Sequence, residues 1–326
     1  MKTTLVVIVN YRTPGLVIDC LESLQPEVES VSGQFGAVRV EIVDNASGDG
    51  SPDRIEEAIA SRGWASWAEL RRVPRNGGFA FGNNAAIRPA LEEPAPPDYF
   101  WLLNPDTIVR PGALLALVAF MNDQPRAGLA GSRLEDPDGT PQRSAFRFPS
   151  VAGEVDNGVR LGLLSRLLSR SVIAPEPPAQ RSQIDWLSGA SLLVRREVFE
   201  AVGLMDDAYF MYFEEVDLCR RARKKGWTCW YIPDSRVVHL VGQASGMNDA
   251  QRNRRRADYW FDSRRRYFLK HLGAVRTLMA DTLFMAGFAS WRLRRRIQRK
   301  PDPDPARFLA DFARHSVWRR GFGLDR

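Results

Sequence analysis

A chain of 326 residues with 44% hydrophobic and 26% charged residues can bury one large α/β core or two modest ones, which excludes a disordered or fibrous protein. Its three cysteines, Cys20, Cys219 and Cys229, are odd in number and lack metal-ligand spacing, so a reducing, cytoplasmic compartment is expected and a disulfide framework is not. The net charge of +7 is uneven: residues 250–326 hold 20 Lys/Arg against 7 Asp/Glu, a balance of +13 that leaves −6 on residues 1–249, and such a basic tail suits an anionic surface.

LVVIVNY (5–11) is a continuous apolar run that predicts a buried strand, and it enters a turn without the small-residue cleavage site of a signal peptide. Pro14 to Leu24 has helical spacing in Leu16, Cys20, Leu21 and Leu24. VRVEIVDN (38–45) predicts a second strand with Asp44 at its C-terminal end, and Ser51-Pro52 opens a helix. RNGGFAFGNNAAI (75–87) gathers three glycines and then turns helical. YFWLLNPD (99–106) predicts a strand ending in a polar turn, followed by a helix from about Gly112 to Met121 and short strands around Ala127 to Leu134.

Residues 151–183 lack a clear period, and APEPPAQRSQ (174–183) reads as an exposed loop. DWLSGASLLVRREVFEAVG (185–203) predicts a strand and a helix, and FMYFEEVDLCRRARKKG (210–226) an acidic turn before a basic helix beginning near Leu218. TCWYIP (228–233) and RVVHL (236–240) are further strands. Beyond them the chain is helical and arginine-rich, so a boundary near residue 245 is expected between an α/β domain, 1–245, and a basic helical extension, 246–326. The apolar stretch Leu272 to Trp291 is interrupted by Arg276 and Asp281, which argues against a bilayer-spanning helix.

Alternating strands and helices predict a mostly parallel sheet, whose ligands sit at the carboxyl ends of the strands. Three clusters are expected there: Asp44-Asn45, Asn104-Pro105-Asp106 and Glu214-Glu215-Val216-Asp217. Any one alone reads as a helix cap, whereas three together point to a shared site. Asp106, after an apolar strand and a stiffening proline, suits a hard cation. His239 ends a strand, and Mn²⁺ accepts imidazole beside carboxylate and phosphate oxygens. Trp186 with the small residues Ser188 and Gly189 marks a surface where backbone approaches a ligand closely, or else a tightly packed core strand. The glycine segment has neither the P-loop ending nor the G-x-G-x-x-G order, and no G-x-S-x-G occurs, which sets aside P-loop ATPases, Rossmann dehydrogenases and serine hydrolases.

In order and spacing, VVIVNY, VDNAS (43–47), RNGGFAFGNN (75–84), LLNPD (102–106), the segment from Trp186 to Trp227 and His239 resemble family 2 glycosyltransferases, specifically the bacterial rhamnosyltransferase-like branch that also includes galactofuranosyltransferases. The resemblance spans roughly residues 4–246. It implies a GT-A fold, here with a C-terminal helical appendage, and an inverting, metal-dependent transfer of a sugar, rhamnose first, from a dTDP- or UDP-sugar to a hydroxyl of a glycan or lipid-linked glycan. Carried over by motif, Asn10, Asp44, Asn76 and Gly78 line the nucleotide pocket, with Asp44 meeting the pyrimidine base. Asp106 and His239 hold Mn²⁺ or Mg²⁺ on the diphosphate. Trp186, Ser188, Gly189 and Glu214 belong to the donor and acceptor pocket, and Glu215 is the catalytic base. The family usually has Asp at that position, which leaves Asp217 as the alternative base. The metal motif is Asn-Pro-Asp instead of Asp-x-Asp, so Asn104 is a weak ligand candidate. The chemistry suits these parts, because the cation neutralises the leaving diphosphate and a carboxylate accepts the proton of the attacking hydroxyl.

Two other readings stay open. A nucleotidyltransferase needs a glycine-rich loop bearing Lys or Arg after the first strand, which VNYRTPG does not supply. A nucleic-acid-binding protein would use the arginines at 254–256, 264–266 and 294–296 on phosphates. Neither explains the acidic clusters of residues 1–249. In the tail, Leu272, Val275, Leu278, Met279, Leu283, Phe284, Met285, Phe288 and Trp291 precede Arg292 and Arg294 to Arg296, which predicts an interfacial helix on the inner face of the cell membrane. The competing reading packs that apolar face against the catalytic domain or a second subunit of a homo-oligomer.

Overall fold

The computed structural model describes residues 2–240 and 255–324, so the boundary expected near residue 245, the stretch from Val241 to Gly246 and Arg254 lie outside the described residues. In chain order the elements are β1 (Thr4–Asn10), α1 (Pro14–Gln34), β2 (Val38–Asp44), α2 (Ser51–Ser61), β3 (Ala68–Arg72), α3 (Gly78–Leu91), β4 (Tyr99–Leu103), β5 (Thr107–Val109), α4 (Ala113–Asp123), β6 (Ala127–Glu135) and β7 (Ala145–Phe146). There follow α5 (Val151–Val159), α6 (Gly162–Leu167), β8 (Ser182–Ile184), β9 (Trp186–Leu187), β10 (Ser191–Arg195), α7 (Arg196–Val202), α8 (Glu214–Lys224), β11 (Thr228–His239), α9 (Asp258–Ile297), α10 (Phe308–His315) and α11 (Val317–Arg320).

These elements form two compact units: residues 2–146, 176–210 and 214–240 in one, and 147–175, 211–213 and 255–324 in the other. In the first, nine strands make one sheet in the order β3-β2-β1-β4-β10-β6-β11-β5, with β8 added on β11. β1 is parallel to β2 and β4, β2 to β3, and β6 to β11, whereas β10 runs antiparallel between β4 and β6. The buried runs of β1 and β4 explain this placement: all seven residues of β1 and all five of β4 are buried, as central strands require. Register aligns Asn10 with Asp44 and Ile8 with Leu103, so the polar residues after these strands emerge at one edge of the sheet.

In the second unit, residues read as irregular contain two helices, α5 and α6. Ser150 caps α5 by accepting from the Gly153 N–H at 3.1 Å. Two glycines allow α5 to lie close on α9, because a Cβ on Gly158 would meet Phe284 O at 2.8 Å and one on Gly287 would meet Val159 Cγ2 at 2.8 Å. The long helix α9 is two helices joined at Gly273 (φ 79°, ψ 172°). By length and composition alone α9 could cross a membrane, with 33% of its apolar window buried inside the protein. Phe284, Phe288 and Trp291 pack with Phe261, Phe308 and Phe312 into an aromatic core. Of the apolar positions expected on a membrane face, these three therefore belong to the interior.

Several of the tail arginines have partners within this unit, and two of them, Arg264 and Arg265, are buried. Arg264, 3% exposed, bridges Glu154 and Asp281 at 2.7 Å each, and Arg255 grips Asp311 with two hydrogen bonds. Arg265 donates to Gly321 O and Gly323 O, Arg294 to Val159 O and Arg295 to Pro301 O. Arg264 and Arg265, buried and committed in this way, are withdrawn from any phosphate-binding row.

Candidate active site

At the edge where β1 and β2 end, Asn10, Asp44, Asn45 and Ser47 are all buried. Asn10 Nδ2 donates to Asp44 Oδ1 at 2.7 Å, and Ser47 supplies both its hydroxyl (2.6 Å to Oδ1) and its backbone N–H (3.1 Å to Oδ2). Asp44 is thus fixed by three donors, and Asn10 acts as one of its orienting partners. The turn needs unusual backbone, with φ of 61° at Arg12 and 57° at Ala46; the Arg12 N–H closes it on Ser47 Oγ at 2.9 Å.

Asn45 carries the connection to the glycine segment, which local sequence gave no means to anticipate. Its Nδ2 donates to Asn76 Oδ1 and to Gly78 O, both at 3.0 Å, and its Oδ1 accepts from the Gly77 N–H at 3.3 Å. Asn76 Oδ1 in turn accepts from the Gly78 N–H at 3.0 Å. Gly78 must be glycine: its φ is +87°, and a Cβ there would sit 1.8 Å from Phe210 O, the atom that accepts from the Phe79 N–H at 2.9 Å. The glycine segment is therefore seated on the chain just ahead of the acidic pair. Asn84 adds a second tie by exchanging two hydrogen bonds with the Met205 backbone.

Asp106 and His239 come together. His239 Nε2 lies 3.5 Å from Asp106 Oδ1, their side chains are 16% and 3% exposed, and Asp106 O accepts from the Leu240 N–H at 2.9 Å. Pairing of β5 with β11 sets this approach by placing Thr107 opposite His239. The pair fits a divalent ion, since neighbouring ligands with bonds of about 2.1 Å on an octahedral ion lie about 3 Å apart. Among the described residues no group of three or more His, Cys, Asp or Glu side chains converges. The remaining positions on such an ion would fall to water and phosphate oxygens, as is usual for Mg²⁺. The Asn104 N–H donates to Ala190 O at 3.0 Å, which ties this turn to the segment from Ser188 to Ser191.

That segment follows β9, where Trp186 stacks on Phe146 at 4.2 Å between ring centroids. Ser188 accepts from the Ala190 N–H through Oγ, so its hydroxyl shapes the turn. A Cβ on Gly189 would lie 3.3 Å from the Phe79 ring and 3.8 Å from Glu215 Cβ, which places Gly189 between the glycine segment and the acidic pair.

The acidic cluster does not end a strand, as the sequence suggested. α8 begins at Glu214, four residues before the expected start, so Glu214, Glu215 and Asp217 occupy its first turn, where the helix dipole favours carboxylates. Tyr212 and Phe213, each at φ 71°, precede it in the left-handed region, a strain of about 1–3 kcal/mol per residue that recurs at functional sites. The two candidate bases differ sharply. Asp217 is fully buried and accepts from Arg221 Nε at 2.6 Å, while Arg221 also holds Val202 O and Leu204 O. Glu215 is half-buried, yet its Oε2 is enclosed and has no hydrogen-bond partner among the described residues. Burial pushes its carboxyl up to about 7, against backbone N–H groups at the helix start that lower it.

Residues 2–259 match the family model described as glycosyltransferase like family 2. The chain belongs to this family. It is 34% identical over 223 residues to an N-acetylglucosaminyl-diphospho-decaprenol L-rhamnosyltransferase of Mycobacterium tuberculosis, covering 65% of this chain and 70% of that one. It is 29% identical over 166 residues to the rhamnosyltransferase WbbL of Escherichia coli, covering 50% and 61%. Among solved structures, the mannosyltransferase PcManGT of Pyrobaculum calidifontis, in complex with GDP-Man and Mn²⁺, superposes with a TM-score of 0.56 at 14% identity over 98% of this chain and 83% of that one. The fold is GT-A and the protein is a glycosyltransferase, as the motif order implied.

Proposed function

We propose that this glycosyltransferase moves rhamnose from dTDP-rhamnose to a hydroxyl of a lipid-linked glycan at the inner face of the cell membrane, with inversion and with the help of Mn²⁺ or Mg²⁺. The approach of His239 to Asp106 carries the metal part of this reading. The rhamnosyltransferase names of the two relatives support the sugar, and the diphospho-decaprenol substrate in the name of the first supports a lipid-linked acceptor.

Asp44, oriented by Asn10 and Ser47, meets the base, and the shelf of Asn45, Asn76 and Gly78 lines the nucleotide. Asp106 and His239 hold the cation, which when bound neutralises charge on the departing diphosphate. Trp186, Ser188, Gly189 and Glu214 border the sugar and acceptor. Glu215 takes the proton of the attacking hydroxyl, and its elevated pKa keeps it an effective acceptor near neutral pH. Asp217 positions α8 through Arg221 instead of reacting. A thermal-shift panel of nucleotide sugars with and without Mn²⁺ tests the reading, because a ligand selective for the folded state raises stability. dTDP-rhamnose with Mn²⁺ should give the largest shift; equal shifts for all donors, or none with metal, overturn the donor assignment.

A further inference from the structure

We propose that one face of the second half of α9 is the surface that lies on an anionic lipid leaflet. Val275, Met279, Leu283, Ala286, Leu293 and Ile297 fall within an arc of about 80° and run for about 33 Å along the helix. Five of them are large and open to solvent: Val275 and Ile297 are 72% exposed, Leu293 60%, Met279 48% and Leu283 41%. No charged side chain falls inside the stripe, whose one polar member is Ser290. An uncharged apolar ridge of this length is unusual for a surface that meets only water.

The opposite face of the same helix is committed. Phe284, Phe288 and Trp291 fill the aromatic core, and Asp281, fully buried, pairs with Arg264 and accepts from the Val317 N–H at 2.9 Å. A spanning helix would have to expose both to lipid, tearing out the core and stranding a carboxylate in hydrocarbon. The helix must therefore lie along the interface.

Charge selects the occupant. Arg296, Arg299 and Lys300 at the end of the stripe are exposed, and so are Arg319 and Arg320 beyond α10. Trp318, 61% exposed, is held against the helix by its Nε1–H on Thr282 Oγ1 at 3.0 Å, the placement an indole takes at a headgroup boundary. The nearby acidic residues are already paired, Asp302 with Arg292 and Asp304 with Arg160. A second copy of this face would bring like charges together, whereas anionic headgroups neutralise them.

The inference rests on the proposed transfer reaction only for the purpose of attachment, and its test uses neither donor nor acceptor. The full-length protein is sedimented with vesicles of phosphatidylcholine alone or with about one-third phosphatidylglycerol. Binding should require the anionic lipid and weaken in high salt. The variant M279E/L283E/L293E should abolish it, and R296Q/R319Q/R320Q should lower partitioning by about a hundredfold. All six positions are exposed, so both variants should keep the wild-type circular dichroism and melting temperature. Both should also still release nucleotide with a detergent-solubilised acceptor, which separates failure of attachment from failure of the transfer reading. Absence of binding to anionic vesicles at low salt overturns the proposal. So does a dimer that M279E/L283E/L293E dissociates without any vesicle binding by the wild type, which would assign the face to a second copy. Binding that resists both high salt and alkaline carbonate also overturns it, in favour of a spanning helix.

Discussion

A Glu215→Gln enzyme keeps the size and hydrogen-bonding capacity of the side chain and loses only its ability to take a proton. Burial has raised the wild-type carboxyl to about 7, so roughly a tenth is ionised at pH 6 and roughly nine-tenths at pH 8. The wild-type kcat/KM should then climb about tenfold between these pH values, with an inflection near 7. The Gln enzyme should be slower by about 10² or more and show no such limb. Stability moves the opposite way. A carboxyl whose folded pKa is raised contributes stability that is present below the unfolded value and lost as pH rises through the folded one. The Gln enzyme should therefore match the wild type near pH 4 and exceed it at pH 8, by about 2 kcal/mol once the partial exposure of the side chain is allowed for. Initial rates and thermal melts in the same buffers measure both. Near-normal turnover of Glu215→Gln, or a wild-type profile flat from pH 6 to pH 8, would refute the assignment.

Asp106→Ala and His239→Ala should each weaken activation by Mn²⁺ while leaving the melting temperature of the metal-free protein nearly unchanged; if the metal dependence of the rate is the same in both as in the wild type, they do not share an ion. Asp217→Asn should act on stability first, lowering it by about 3 kcal/mol by breaking the pair with Arg221, with kcat restored wherever the protein remains folded; a folded Asp217→Asn enzyme lacking turnover would move the base to that residue. Gly78→Ala should be destabilised by more than the 1–3 kcal/mol of its backbone conformation alone, because the added Cβ meets Phe210 O; a melting temperature equal to wild type would show that the segment is not seated as described.

The sheet was legible because its strands declare themselves locally. β1 and β4 are unbroken apolar runs, and Asp44, Asp106 and His239 stand at or just beyond strand ends where the pattern stops. What could not be read depends on distant partners. Asn45 reaches Asn76 and Gly78 across more than thirty positions, and no period marks it. α5 was missed because Gly153 and Gly158 weaken its helical signal, and its stability comes from close packing on α9. The start of α8 was misplaced because its first turn carries only acidic residues and Val216, which read equally as a turn; the positive φ angles of Tyr212 and Phe213 that set it off have no sequence signature. In the tail, charge counting treated every arginine as surface, whereas Arg264 and Arg265 are 3% and 4% exposed. Periodicity found an apolar helix there but could not divide its aromatic, inward face from its aliphatic, outward one.

Nucleoside diphosphate release from a panel of nucleotide sugars, with a prenyl-diphosphate-linked glycan acceptor and with or without a chelator, tests the assignment most directly. Acceptor-dependent release of dTDP from dTDP-rhamnose, abolished by the chelator and restored by Mn²⁺, is the expected result. Release that favours another sugar, or that continues undiminished in the chelator, would contradict it.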